Sequence, residues 1–106
     1  MSYAWIIDED TTDPFMPDES GIEGPWDAPP WMLAALKNEG RVKITGYEIH
    51  PFQMFADGGI LYYNGRIITD SMDYDTQFRP LDDFGGPNAG AVSIRYPDHP
   101  EWGSKG

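Results

Sequence analysis

Two histidines and eighteen carboxylates are the side chains in this 106-residue chain best suited to chemistry; it has no cysteine. His50 and His99 each precede a proline, which biases their backbones toward extended or turn shapes. Imidazole is the usual general base near neutral pH and a common metal ligand, so either could serve as one or the other. The plainer reading has His50 ending a strand and His99 sitting in a polar tail. Eighteen acids also supply many pairs that could act as the two carboxylates of a glycosidase, but chance alone provides such pairs. An EF-hand frame fails. Starting at Asp8, it finds Asp10, Thr12 and Glu19 at positions 3, 5 and 12, but Asp13 where glycine is required, with Pro14 next. Starting at Asp73, it finds Asp75 and Gln77, then Phe78 and Phe84 at positions 6 and 12. A cation site of another kind stays open.

Other catalytic signatures are missing from the sequence. There is no GxSxG, Walker loop, GxGxxG or HExxH. Asp83-Phe84-Gly85 matches one kinase tripeptide, in a chain too short for a kinase and without its other motifs. Zero cysteines remove disulfides, cysteine–zinc sites and thiol catalysis. The expectation is a non-enzymatic protein with no metal and no cofactor. A small carboxylate-based enzyme or cation-binding domain, and a self-assembling structural protein, are the alternatives.

The charge is unusual in amount and placement. Seven Lys and Arg face eighteen acids, for a formal charge of -11. Residues 1–31 carry eight acids and no Lys or Arg, residues 32–67 three acids and four bases, and residues 68–106 seven acids and three bases. Such acidity opposes direct binding to nucleic acid or an anionic membrane, each of which selects Lys and Arg. Acids and aromatics also interleave: Phe15, Met16, Trp26 and Trp31 among the first group, Tyr74, Phe78 and Phe84 among the last. Either the aromatics are core anchors and the acids aid solubility, or together they form a surface for a basic partner.

The second reading is the sharper. In an extended segment, carboxylates two residues apart share one side at a spacing of about 6.7 Å, close to the interval between neighbouring phosphates of a strand. Asp8/Asp10 and Asp73/Asp75 have that spacing. The expected contact set is Asp8, Glu9, Asp10, Asp13, Asp18 and Glu19, a second patch at Asp73 and Asp75, and Trp26 and Trp31. The two tryptophans would brace the helix entry and become anchors only if exposed. The expected partner is a basic, nucleic-acid-handling protein, with the chain acting as inhibitor or nucleic-acid mimic. Bacterial immunity proteins and phage-encoded mimics work on this principle as a class. Charge-assisted Arg–carboxylate bonds would set register and buried aromatics would supply hot spots.

These residues must be positioned by a small α+β fold in a single acidic domain, 1–106, with a long acidic loop over 8–28. Asp27 or Ala28 is the expected N-cap of a short helix around residues 29–39. Met32, Leu33 and Leu36 lie on its apolar face, Lys37 sits at its dipole end and Gly40 at C′. An antiparallel sheet of about five strands is expected. Tyr3–Ile7 forms one. Residues 41–50 form another, with a bulge at Gly46 and an interruption at Pro51. Asp57-Gly58-Gly59 turns the chain. Residues 60–63 and 66–69 pair about a type I′ hairpin at Asn64-Gly65, and 91–96 adds a further strand. Residues 70–88 read as loop. The acidic start lacks a basic, apolar leader and no apolar run reaches about 20 residues, so the expected location is cytoplasmic.

Overall fold

The computed structural model describes residues 3–12, 17–38 and 44–105. A six-stranded antiparallel sheet runs through them in the order β2-β1-β4-β3-β5-β6. The strands are β1 Tyr3–Asp10, β2 Glu23–Gly24, β3 Glu48–Phe55, β4 Leu61–Thr69, β5 Ser93–Arg95 and β6 Gly103–Ser104. Helix α1, Pro30–Lys37, covers one face. The other is covered by α2 Tyr74–Gln77, a π-helical turn Leu81–Gly85 and α3 Gly86–Ala89. None of the described helices is long and apolar enough to cross a membrane.

Because both faces are covered, the strands bury alternate residues in two different cores. On β1, Ala4 and Ile6 join Met32, Ala35, Leu36 and Ile68 beneath α1. Trp5 and Ile7 point the other way, into a larger cluster with Phe52, Met54, Tyr63, Ile67, Phe78, Leu81, Phe84, Ile94 and Tyr96. Polar tips in this cluster find partners. Trp5 Nε1 and Tyr3 Oη both donate to Asp83 Oδ2, at 3.1 and 2.6 Å, and Tyr96 Oη donates to the Gln77 carbonyl at 2.8 Å.

Asn64-Gly65 is not a hairpin. It lies inside β4, where Asn64 pairs with Glu9 of β1 and Gln53 of β3, and Gly65 with Ile7 and Phe52. A Cβ on Gly65 would run into the Ile6 carbonyl oxygen and the Phe52 ring, so glycine serves close approach here, not reversal. The reversal falls at Asp57-Gly58-Gly59, with φ of 85° and 81° at the glycines and the Ala56 N–H donating to the Ile60 carbonyl at 2.7 Å. The expected strands 60–63 and 66–69 are thus one strand. The sheet still reaches six, because two-residue β2 and β6 extend its edges.

Other local expectations need correction. Residues 44–47 make a turn, with the Tyr47 N–H donating to the Ile44 carbonyl and Gly46 at φ 85°, not a bulged strand; residues 39–43 lie outside the described residues. Pro51 does not interrupt β3, since β5 pairs only with Gln53–Phe55 and leaves the Pro51 flank without a ladder to break. Pro29, not Asp27 or Ala28, is the N-cap of α1, with no side-chain cap. Segment 70–88 holds three short helical pieces, the first capped by Asp73, whose carboxylate accepts from the Thr76 N–H at 2.9 Å. Helix α1 is secured mainly from the sheet. Arg66 grips Asp8 with two nitrogens, at 2.8 and 2.7 Å, and its Nη1 donates to the Leu36 carbonyl at 2.6 Å.

Two substitutions test this packing. Gly65→Ala forces a methyl group against backbone and ring and is expected to cost about 1–3 kcal/mol, read as a lower urea midpoint at unchanged slope. Arg66→Lys keeps the charge but loses the planar fork. It is expected to cost about 1 kcal/mol and to accelerate amide exchange in the last turn of α1 ahead of the sheet.

Candidate functional site

The acids expected to form a row are divided by the sheet itself. The β1–β4 register shifts between Ile7 and Glu9, so one extra residue of β1 bulges at Asp8. Asp8 turns toward Arg66 on the α1 side. Glu9 stands opposite Asn64 and accepts from its side-chain amide. Asp10 stands opposite Tyr63, a member of the other core. The bulge therefore cancels the two-residue periodicity on which a shared side for Asp8 and Asp10 depended.

The Asp10 carboxylate organises the chain that follows. It accepts from the Thr12 hydroxyl, the Thr12 N–H at 2.9 Å and the Glu19 N–H at 2.9 Å. Burial on its own would raise its pKa, but the three hydrogen bonds outweigh it, and the carboxyl sits below its ordinary value. Glu19 is drawn in beside it and accepts from Tyr63 Oη at 2.9 Å and from the Asn88 side-chain amide. Burial foremost, with Glu19 adding to it, pushes the Tyr63 hydroxyl up to about 12. Asp18 accepts from the Ser20 N–H at 2.9 Å. The 8–28 segment thus begins in β1, contains β2 and is tied back to β1, with the Ile7 N–H donating to the Ile22 carbonyl at 2.8 Å. Asp13 lies outside the described residues.

The second expected patch is not extended either. Asp73 caps α2 and Asp75 sits in its first turn, so helical geometry, not strand periodicity, sets their directions. The Thr76 backbone and side chain, followed by more distant positive charge, hold the Asp73 carboxyl below its ordinary value. The structure therefore brings Asp10 and Glu19 together and places Asp8 with Glu9 on the α1 side of the sheet. Asp73 and Asp75 lie apart on α2.

Trp26 behaves differently from the bracing role expected of it. It sits in the turn closed by the Ala28 N–H donating to the Pro25 carbonyl at 2.9 Å, and its side chain projects outward, leaving the residue 97% exposed. Asp27 beside it is exposed. Trp31, on the first turn of α1, is 43% exposed and meets Tyr47 edge-on at 5.0 Å. Ile22, ahead of edge strand β2, adds further exposed apolar surface.

A recess of about 550 Å³ opens between the start of β3, the end of β4 and the C-terminal turn. Glu48, His50, Thr69, Asp70, Asp73 and Trp102 are among its walls. His50 is 9% exposed, and its Nε2 lies 2.9 Å from Glu48 Oε2. Trp102 meets the His50 ring edge-on at 4.9 Å and stacks on His99 at 3.8 Å. Of these wall residues, His50, Asp70 and Asp73 stand out in the sequence, His50 as a histidine and the two acids in the acid-and-aromatic stretch 70–84. Glu48-x-His50 was the available signal for a fourth, since residues two apart on a strand share a face. Among the described residues, no group of three or more His, Asp or Glu converges to hold a metal ion.

No protein-family model, curated protein or solved structure matches the chain.

The Asp10 network has a pH consequence. A carboxyl depressed in the folded state contributes stability that is in full above its unfolded value, about 3.9, and is lost as pH falls through the folded one. Asp10→Asn removes the charge and cannot accept at both oxygens. It is expected to cost about 1–2 kcal/mol at pH 7. The gap to the native protein should narrow as pH falls below the unfolded value and on through the lower folded one, as measured by urea midpoints across pH.

Proposed function

We propose that this chain is a non-enzymatic acidic docking protein, an inhibitor or adaptor, whose partner is a basic, nucleic-acid-handling protein. The observation that carries this reading is Trp26, 97% exposed beside exposed Asp27 on a chain of formal charge -11. A tryptophan buries about 150–250 Å² when covered. At about 25 cal/mol per Å² that is on the order of 4 kcal/mol, well above what a hot spot requires. Trp31 and Ile22 also leave apolar surface uncovered. The surplus carboxylates supply long-range attraction, screened beyond a Debye length of roughly 8 Å at physiological salt.

Phosphate mimicry by a row of carboxylates is not part of the proposal, because the bulge in β1 and the helical setting of Asp73 and Asp75 remove the regular spacing it needs. Recognition on this reading is by an aromatic anchor within a negative field.

Immobilised native protein and Trp26→Ala, exposed in parallel to lysate of the source cell at graded salt, test the proposal. The native bait is expected to retain a basic protein at low salt and release it steeply as salt rises. Trp26→Ala should bind that same protein at least about tenfold more weakly, with folding stability unchanged within about 0.5 kcal/mol. Equal retention by both baits, or binding indifferent to salt, would contradict it.

A further inference from the structure

We propose that Tyr74 is a phosphorylation site and that Arg79 receives the phosphate it acquires. The chain has six tyrosines, and the fold sets this one apart. Tyr63 and Tyr96 are buried, Tyr3, Tyr47 and Tyr62 are half-buried, and Tyr74 is 72% exposed. The Tyr3, Tyr63 and Tyr96 hydroxyls are engaged by Asp83, Glu19 and the Gln77 carbonyl. The Tyr47 and Tyr62 rings rest against Trp31 and Tyr63. The Tyr74 ring meets Phe78 edge-on at 5.1 Å, and its hydroxyl has no hydrogen-bond partner among the described residues.

The segment carrying it is suited to entering an enzyme's active site. Helix α2 has four residues, closed by the Gln77 N–H donating to the Asp73 carbonyl and the Phe78 N–H donating to the Asp75 carbonyl, each at 3.1 Å. So short an element opens at low cost while Phe78 stays anchored in the core. In the transfer, Tyr74 Oη attacks the γ-phosphorus of a nucleoside triphosphate. The bond from that phosphorus to the diphosphate breaks, and the hydroxyl proton passes to the base of the modifying kinase. The ester brings about 1.5–2 negative charges at pH 7.

A recess of about 250 Å³ holds Tyr74 together with Arg79 and Lys105, and with Asp75 and Asp82. Lys105 is paired with Asp82 at 3.1 Å. Arg79 is not committed in this way. Its guanidinium lies 5.8 Å from the Tyr3 ring centre, makes no ion pair with any described acid, and acts on Asp73 only at longer range. A planar guanidinium binds phosphate through two parallel hydrogen bonds, a stronger contact than repulsion from a solvated carboxylate such as exposed Asp75. The phosphate therefore ties the start of α2 to the residue that follows it. Trp26 is not among the walls of this recess, so the inference stands apart from the docking surface.

The test treats the full ¹⁵N-labelled chain with a broad-specificity tyrosine kinase domain and magnesium ATP, locates the phosphate by mass spectrometry, and then follows amide exchange. Tyr74 is expected to take up phosphate at least about tenfold faster than any other tyrosine, and Tyr74→Phe to lose that uptake. The phosphorylated chain should shift the Arg79 Nε–H resonance and slow exchange over residues 74–79 about tenfold. Arg79→Gln, a change at an exposed side chain, should still be phosphorylated but show no such slowing. Absence of uptake at Tyr74, faster uptake at another tyrosine, or phosphorylation that leaves Arg79 and the exchange of 74–79 unchanged would overturn the proposal. So would equal slowing in Arg79→Gln.

Discussion

The fold depends on β4 running unbroken for nine residues between two partners. It pairs with β1 on one side and β3 on the other over nearly its whole length. Gly65 permits this by leaving room for the Phe52 ring and the β1 backbone at the point of closest approach. Tyr63 and Ile67, two residues to either side, then enter one core, while Arg66 and Ile68 face α1. A reversal at Gly65 would break both ladders and leave neither core with a floor.

The register of that strand decides what the carboxylates do. Asp8 holds Arg66, and through it the end of α1. Asp10 and Glu19 fold the following segment onto Tyr63 and Asn88. Asp73 begins α2, and Asp83 collects two aromatic donors from β1. Much of what looks like surplus acid in composition is thus local scaffolding made of charge-assisted hydrogen bonds. The surface features left over are of a different kind: an outward tryptophan and a concave acidic recess that it does not line.

The legible parts of the sequence were those with a sustained period. Tyr3–Ile7 reads as strand, Met32 to Leu36 as helix, Ile94 and Tyr96 as one buried face, and Asp57-Gly58-Gly59 as the turn; the structure has each of them. Asn-Gly misled because its local turn preference competes with a longer signal. Tyr63, Gly65, Ile67 and Thr69 keep one two-residue phase straight through it. β2 and β6, two residues each, and the four- and five-residue helical pieces are too short to display any period. The contact set was read from spacing, and spacing holds only while a strand stays regular. The bulge at Asp8 is fixed by pairing with a strand more than fifty residues away, which no local window contains. The recess depends on three segments meeting, so only Glu48-x-His50 left a trace of it in sequence.

Native-state hydrogen exchange at Asn64, Gly65 and Arg66 tests the central claim most directly. An unbroken middle strand predicts that these amides exchange only through global unfolding, at rates matching Ile67. Exchange at Gly65 orders of magnitude faster than at Ile67, as at the tip of a hairpin, would contradict it and, with it, the division of the acids between the two faces of the sheet.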